Sequence, residues 1–288
     1  MRLWGLTALL GLFSAAALAS AAQAEMVRIP GGEARIGSDR GRPDEAPAFT
    51  TEVAAFDLDR TLVTVAAFKR FAVQRGFVTE AEKFGSGAVM TFGTGQWQLV
   101  EGANWRQPQG PKAEAASANH PVTQVSWNDA TAYCAAAGKR LPSEVEYEYA
   151  ARGAKAQDRS HAFGKALEQQ GRYRANVWTG VFPMINTAKD GYATTSPVGA
   201  FGEDTLGLAD MAGNVWEWTS DWYRPYAERL QPWPRDRPGE KVQRGGSFLC
   251  DPKFCYGFKV TARGHATPDS SHMHVGFRCA RSVAASPR

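Results

Sequence analysis

Cysteine is scarce in this 288-residue chain: Cys134, Cys250, Cys255 and Cys279 are all there is. Four thiols allow three disulfide pairings, and nothing in their spacing chooses among them. Histidine is scarce too, at five residues: His120, His161, His265, His272 and His274. None sits in an H-E-x-x-H or a three-histidine cluster, which argues against a zinc hydrolase. The chain also lacks a G-x-S-x-G, a P-loop and a G-x-G-x-x-G. Serine hydrolase, phosphotransferase and dinucleotide readings therefore have no support. Neither charge sign dominates, with 33 Lys and Arg against 29 Asp and Glu, net +4. Without a basic run or a basic helix, no nucleic-acid partner is indicated. Long periodic helices are few, and there is no internal repeat or low-complexity tract.

Met1-Arg2 is followed by an apolar run over residues 3–19 and then by Ala22-Gln23-Ala24. A charged start, an apolar core and an A-x-A site read as a secretory signal peptide over residues 1–24, with a membrane anchor as the alternative. No later stretch approaches the ~18 apolar residues of a membrane span. The expectation is an exported protein, periplasmic or secreted, occupying residues 25–288 with no membrane span after signal removal. Export places the cysteines in oxidising surroundings, where a disulfide persists.

Glycine (29), proline (16) and tryptophan (9) are plentiful, which suits short strands, many loops and aromatic packing. Thr64 predicts a helix over residues 65–75, stopped by Gly76, with Val65, Phe68, Phe71 and Ala72 facing inward. Ser126-Trp127-Asn128-Asp129 and Ser143-Glu144-Val145-Glu146 are capping-box patterns. They open helices that run to about residues 137 and 152. The carboxylates of Glu144, Glu146 and Glu148 are expected on a solvated face with a favourable helix start.

The densest chemistry lies in Arg244-Gly245-Gly246-Ser247-Phe248-Leu249-Cys250-Asp251-Pro252-Lys253-Phe254-Cys255. Two glycines permit a tight turn or a close approach. The two soft thiols suit Cu(I) or a redox disulfide, and an ordinary structural disulfide is an open alternative at this point. Downstream come Ala262-Arg263, Thr267-Pro268-Asp269-Ser270-Ser271 and Gly276-Phe277-Arg278-Cys279. Together these runs resemble the carboxy-terminal signature of the formylglycine-generating enzyme (sulfatase-modifying factor) family. That signature is G-G-S-[FY]-x-C-x4-C, A-x-R-x3-T-P-D-S-S and G-F-R-C. Upstream, Gly213-Asn214-Val215-Trp216-Glu217-Trp218 matches the family's G-N-x-W-E-W.

The resemblance covers roughly residues 26–280 and implies the family's irregular α+β fold, distantly C-type-lectin-like, with little regular secondary structure. It implies a Cys134–Cys279 disulfide, which leaves Cys250 and Cys255 for chemistry as Cu(I) ligands. Ser247 would hydrogen-bond near the thiolate or the oxygen species. Trp105 would wall a dry oxygen pocket, with a plain core plug as the alternative. Asn176 and Asp190, with the carbonyls of Val177 and Tyr192, match a first calcium site. Asp210 and Glu217, with the carbonyls of Gly213 and Val215, match a second. Calcium takes six to eight oxygens, and ordinary turn residues are the alternative. His274, where the family commonly has Asn, would lie near the substrate groove or simply at the surface.

The reaction so implied uses copper and O2 to convert a cysteine in the C-x-P-x-R segment of an unfolded or nascent sulfatase to formylglycine. Asp251, Phe254 and Gly257 stand where the best-known members have His, Tyr and a basic residue. Ala151 and Val260 occupy the positions of a second disulfide found in some members. These departures bear on substrate recognition. Two other readings are a periplasmic siderophore-maturation oxidase on the same fold and a non-catalytic lectin-like binding module.

Overall fold

Four hydroxyl side chains head the four α-helices found among the described residues. Thr64 accepts the Ala67 N–H at the start of α1 (Val65–Arg75), and Thr79 the Glu82 N–H at α2 (Glu80–Phe84). Ser126 accepts from Asp129 at α3 (Trp127–Ala136), and Ser143 from Glu146 at α4 (Glu144–Ala151). Each bond satisfies an N–H that has no partner within its own helix. At α2, α3 and α4 the third helical residue reaches back to the cap's own N–H, completing a capping box. Gly76 ends α1 in the left-handed region, and Val65, Phe68 and Ala72 are buried, as their spacing predicts.

The computed structural model describes residues 25–155, 159–233, 238–253 and 255–283. The expected signal peptide, residues 1–24, and Phe254 lie outside the described residues. Strands are short and the sheets small. Met26–Ile29 and Ala280–Ser282 flank Phe56–Asp59 antiparallel on either side, so early and late parts of the chain share one sheet. Ser86–Thr91 pairs antiparallel with Gln96–Glu101. A four-stranded sheet runs in the order Arg263–Ala266, Lys241–Arg244, Trp216–Trp222, Val275–Gly276, with the last pairing parallel. Glu217 stands opposite Arg244 on one neighbour and Gly276 on the other. This register brings the three motif-bearing segments together although sequence separates them.

The core is held covalently as well as by packing. Cys134 in α3 is bonded to Cys279, with S–S 1.98 Å and Cα–Cα 5.7 Å across 145 residues. Around it, Phe68, Trp105, Trp218 and Phe277 form one apolar cluster. Cys250 belongs to a second cluster with Tyr147, Met211 and Phe258. No helix among the described residues is long and apolar enough to cross a membrane.

Helix α4 overturns one expectation. Glu144 and Glu148 do not line a solvated face; they are 5% and 0% exposed. Arg244 donates to both, at 2.9 and 2.6 Å. Arg263 adds a bond to Glu144 and Arg152 one to Glu148, each at 2.7 Å. Buried guanidinium groups need counter-charges, and these two carboxylates, one helical turn apart, supply them. Glu146 alone of the three keeps a half-buried place, paired with Arg140.

Candidate active site

Gly245 and Gly246 have φ of 93° and 73°, a left-handed turn that glycine takes without strain. They carry the chain off the strand Lys241–Arg244 into the cysteine loop. A Cβ on Gly246 would lie 2.6 Å from the carbonyl carbon of Gly257 and from the Phe258 nitrogen, so the loop closes on itself. Within it, the Cys250 N–H donates to the Ser247 carbonyl at 2.9 Å and the Cys255 N–H to the Asp251 carbonyl at 2.8 Å. These turns bring the two Sγ atoms to 2.7 Å, with both cysteines free. That separation is wider than the roughly 2.05 Å of a disulfide.

The two thiols differ in environment. Cys250 is 2% exposed, whereas Cys255 is half-buried. The hydrogen bond between the sulfurs, followed by burial, pushes the Cys250 pKa well up. The same bond is the largest influence on Cys255 and lowers its pKa to about 7, aided by the Gly257 N–H and the charge of Arg42. Ser247, fully buried, acts on the Cys250 sulfur through its N–H and hydroxyl in the thiolate-favouring direction. Its Oγ also accepts the Leu249 N–H at 3.2 Å. The pair therefore shares one proton near neutrality, with the thiolate on the more accessible sulfur. Thiolate is the form that binds metal or attacks.

Gly257 is where these groups converge. A Cβ there would lie 2.6 Å from Cys250 Sγ, 3.1 Å from Cys255 Sγ and 2.7 Å from Trp216 Cζ2. Trp216 is thus the indole that reaches the sulfurs, a residue the motif contained but sequence reading left without a role. Trp105, expected to wall an oxygen pocket, lies elsewhere. It is 1% exposed, edge-on to Phe68 at 5.4 Å, and its indole N–H donates to Glu82. The core-plug alternative describes it, because the segment that carries it packs onto α1. His274 lies closer to the site, since its carbonyl accepts the Trp216 N–H at 2.9 Å. Its ring sits 4.9 Å from Trp97 and 5.8 Å from His272, and burial drives its pKa well down, leaving a neutral imidazole.

The first expected calcium set fits a hard cation. Asn176 is 1% exposed; its Nδ2 donates to the Thr194 carbonyl, and its Oδ1 has no partner. Asp190 accepts the Val177 N–H at 2.9 Å and the Tyr192 N–H at 3.1 Å, and burial raises its pKa. An unpartnered buried oxygen and a desolvated carboxylate are both relieved by a bound cation. The second set fits less well. Asp210, whose pKa burial lifts to about 6, accepts the Gly199 N–H at 2.7 Å. Glu217, expected beside it as a ligand, already has the buried Arg278 as a counter-ion. Arg278 donates to it at 2.6 and 2.9 Å, and the Tyr147 hydroxyl at 2.9 Å. Arg278 is 0% exposed, and a buried cation holds its partner tightly. Gly213 binds through its backbone, its N–H donating to the Gly245 carbonyl, and Val215 is fully buried. Among the described residues no group of three or more His, Cys, Asp and Glu is arranged to hold a metal. Calcium at the first set would rely on one carboxylate, that of Asp190, with amide and carbonyl oxygens, and Cu(I) on two sulfurs.

A two-thiol loop on an irregular α+β scaffold defines the class. The family described as sulfatase-modifying factor enzyme 1-like domain matches residues 13–283, and the chain belongs to it. The "Formylglycine-generating enzyme" of Streptomyces coelicolor is 45% identical over 280 residues, covering 89% of this chain and 89% of the relative. The Mus musculus protein named "Inactive C-alpha-formylglycine-generating enzyme 2" is 37% identical over 278 residues, covering 90% and 86%. Among solved structures, PvdO from Pseudomonas aeruginosa is similar, with TM-score 0.67 and 26% identity, covering 90% of this chain and 94% of that one.

Proposed function

We propose that this protein generates formylglycine, oxidising the cysteine of a sulfatase C-x-P-x-R segment with copper and O2. The observation that carries the reading is the free Cys250–Cys255 pair, with sulfurs 2.7 Å apart and one of them half-buried. The name of the 45%-identical relative supports it. Since another relative is named inactive, membership of the family is not enough, and the intact dithiol bears the weight. PvdO is more distant in sequence, so a siderophore-tailoring role is the weaker reading.

Cys250 and Cys255 would hold Cu(I), to which two soft sulfurs are suited, leaving a place for the substrate thiolate. When bound, copper supplies the electron exchange with dioxygen. The chain does the rest. Cys255 gives up its proton first, near neutrality, and Cys250 would lose the remaining proton on binding Cu(I), since thiolate is the form that binds metal. Ser247 favours thiolate at the Cys250 sulfur, and the bare Gly257 backbone lets Trp216 and both sulfurs converge on one point. His274 lies beside Trp216 where a substrate peptide would pass. Replacing the substrate's C–S bond and one Cβ–H bond by C=O, with one O2 consumed, releases hydrogen sulfide and water. That balance needs two added electrons and two protons, which a thiol reductant supplies. Calcium would have a structural part, held by Asn176 and Asp190 with the Val177 and Tyr192 carbonyls. At the second set, Asp210 with the Gly213 and Val215 carbonyls would have to share Glu217 with Arg278. The leader pattern supports export, so the substrate would be a nascent sulfatase in an oxidising compartment.

The test is to incubate copper-loaded protein with a C-x-P-x-R peptide, air and a thiol reductant, reading the peptide by mass spectrometry. Conversion of its cysteine to an aldehyde is expected. Unchanged cysteine with copper demonstrably bound would overturn the proposal.

A further inference from the structure

We infer that Asn214 is a positioning residue that couples the oxygen-rich loop 176–192 to the cysteine loop, so that order in one sets order in the other. The inference rests on the reading of Cys250 and Cys255 as the reactive pair. Asn214 is 0% exposed and holds φ at 62°, a conformation Asn tolerates better than most residues. Its N–H donates to the Asn176 carbonyl and its own carbonyl accepts the Phe248 N–H, both at 2.9 Å. On either side of it run two more bonds between the same segments. The Trp178 N–H donates to the Cys250 carbonyl at 3.1 Å, and the Gly213 N–H to the Gly245 carbonyl at 2.8 Å. The cysteine loop is thus fastened at its entry, at Phe248 and at Cys250 itself. A Cβ on Gly213 would fall 2.3 Å from the Asn176 carbonyl oxygen, so the segments are in contact.

The Asn214 side chain makes the joint stiff. Its Oδ1 accepts the Ser196 N–H at 3.1 Å, its Nδ2 donates to the Ser196 carbonyl at 3.3 Å, and Asn176 Nδ2 lies 3.5 Å from its Oδ1. The other oxygen of that neighbour, Asn176 Oδ1, is buried and unpartnered. A hard cation bound by Asn176 and Asp190 would fix the backbone at residues 176–178. Asn214 and the Trp178 N–H would carry that order to the Cys250 carbonyl. Such coupling is reciprocal: calcium must tighten Cu(I) binding by the factor that Cu(I) tightens calcium binding.

The test is amide hydrogen exchange on the copper-free full chain, with and without calcium ion, for wild type, Asn214→Gly and Asn214→Asp. Glycine keeps the left-handed backbone and both main-chain bonds but loses the side-chain ones. Aspartate keeps the acceptor and loses the donor. In wild type, calcium is expected to slow exchange at Phe248 and Trp178 by roughly tenfold or more, within the usual range of coupling between sites. In Asn214→Gly most of that protection should vanish, with Asn214→Asp between, while α3 amides near Cys134 stay unchanged. Cu(I) titration of the same proteins reads the coupling a second way. Calcium-dependent protection without any Cu(I) binding would sink the copper reading and leave the coupling standing. Exchange at Phe248 and Trp178 indifferent to calcium in wild type, or undiminished protection in both variants, would overturn the inference.

Discussion

The missing side chain of Gly257 decides how closely Cys250, Cys255 and Trp216 meet, since a Cβ there would fall within 3.1 Å of all three. Gly257→Ala should therefore push on the sulfurs. Overpacking of this kind costs ~1–3 kcal/mol of stability, so the melting temperature should fall by some degrees, and Cu(I) affinity is expected to fall about tenfold or more. Unchanged affinity by competitive titration would show that the sulfurs have room. The proton arrangement has its own signature. Only thiolate reacts with iodoacetamide, and Cys255 is lowered to about 7 while Cys250 is raised. In metal-free protein the labelling rate at Cys255 should rise with pH with its midpoint near 7 and level only well above it, with Cys250 slow throughout. Cys250→Ala removes the donor that lowers Cys255 and should move that rise to higher pH. At this scale the sequence was half legible. Cys250, Cys255 and Ser247 lie in one contiguous run, so their association could be read directly. Trp216 reaches the sulfurs only through strand pairing, and Gly257 matters only for what would collide with it. Neither fact has a signal in local sequence.

Elements were legible where their signals are local. The caps at Thr64, Ser126 and Ser143 marked helices whose ends agree with the structure to within a residue or two. Helix α2, five residues long, is too short for periodicity to reveal, though its Thr79–Glu82 box was there to be read. The strand Gln96–Glu101 is exposed along nearly its whole length, so its Gln-Trp-Gln-Leu alternation marks no buried face, and the strand was not foreseen. The buried face of α4 was misread for a different reason: besides Arg152, four residues on, Glu148 pairs with Arg244, 96 residues away. Glu148→Gln should strip the carboxylate from the buried Arg244–Glu148 pair, and removing one member of a buried pair costs about 3–5 kcal/mol. Glu146→Gln, at a partly exposed pair, should cost about 1 kcal/mol or less. Thermal or denaturant unfolding of both variants makes the comparison, and equal small losses would show that the buried network contributes no special stability.

For the whole molecule, the family runs disclosed the irregular α+β fold, but strand order was beyond reach because it depends on long-range register. The Cys134–Cys279 bond ties α3 to the last part of the chain across 145 residues. Closing so long a loop stabilises by at most ~5 kcal/mol. A Cys134→Ser, Cys279→Ser double variant should melt at lower temperature by a corresponding amount yet still bind Cu(I). Loss of Cu(I) binding in a variant that remains folded would mean that the two cysteine pairs are not separate. The most direct measurement compares copper-supplied wild type, Cys250→Ser and Cys255→Ser on one C-x-P-x-R peptide, by mass spectrometry, with melting curves for all three. Oxygen is a poor substitute for sulfur at Cu(I), so aldehyde should form with wild type alone while the three melt alike. Aldehyde formed by Cys255→Ser at the wild-type rate would contradict a dithiol active site.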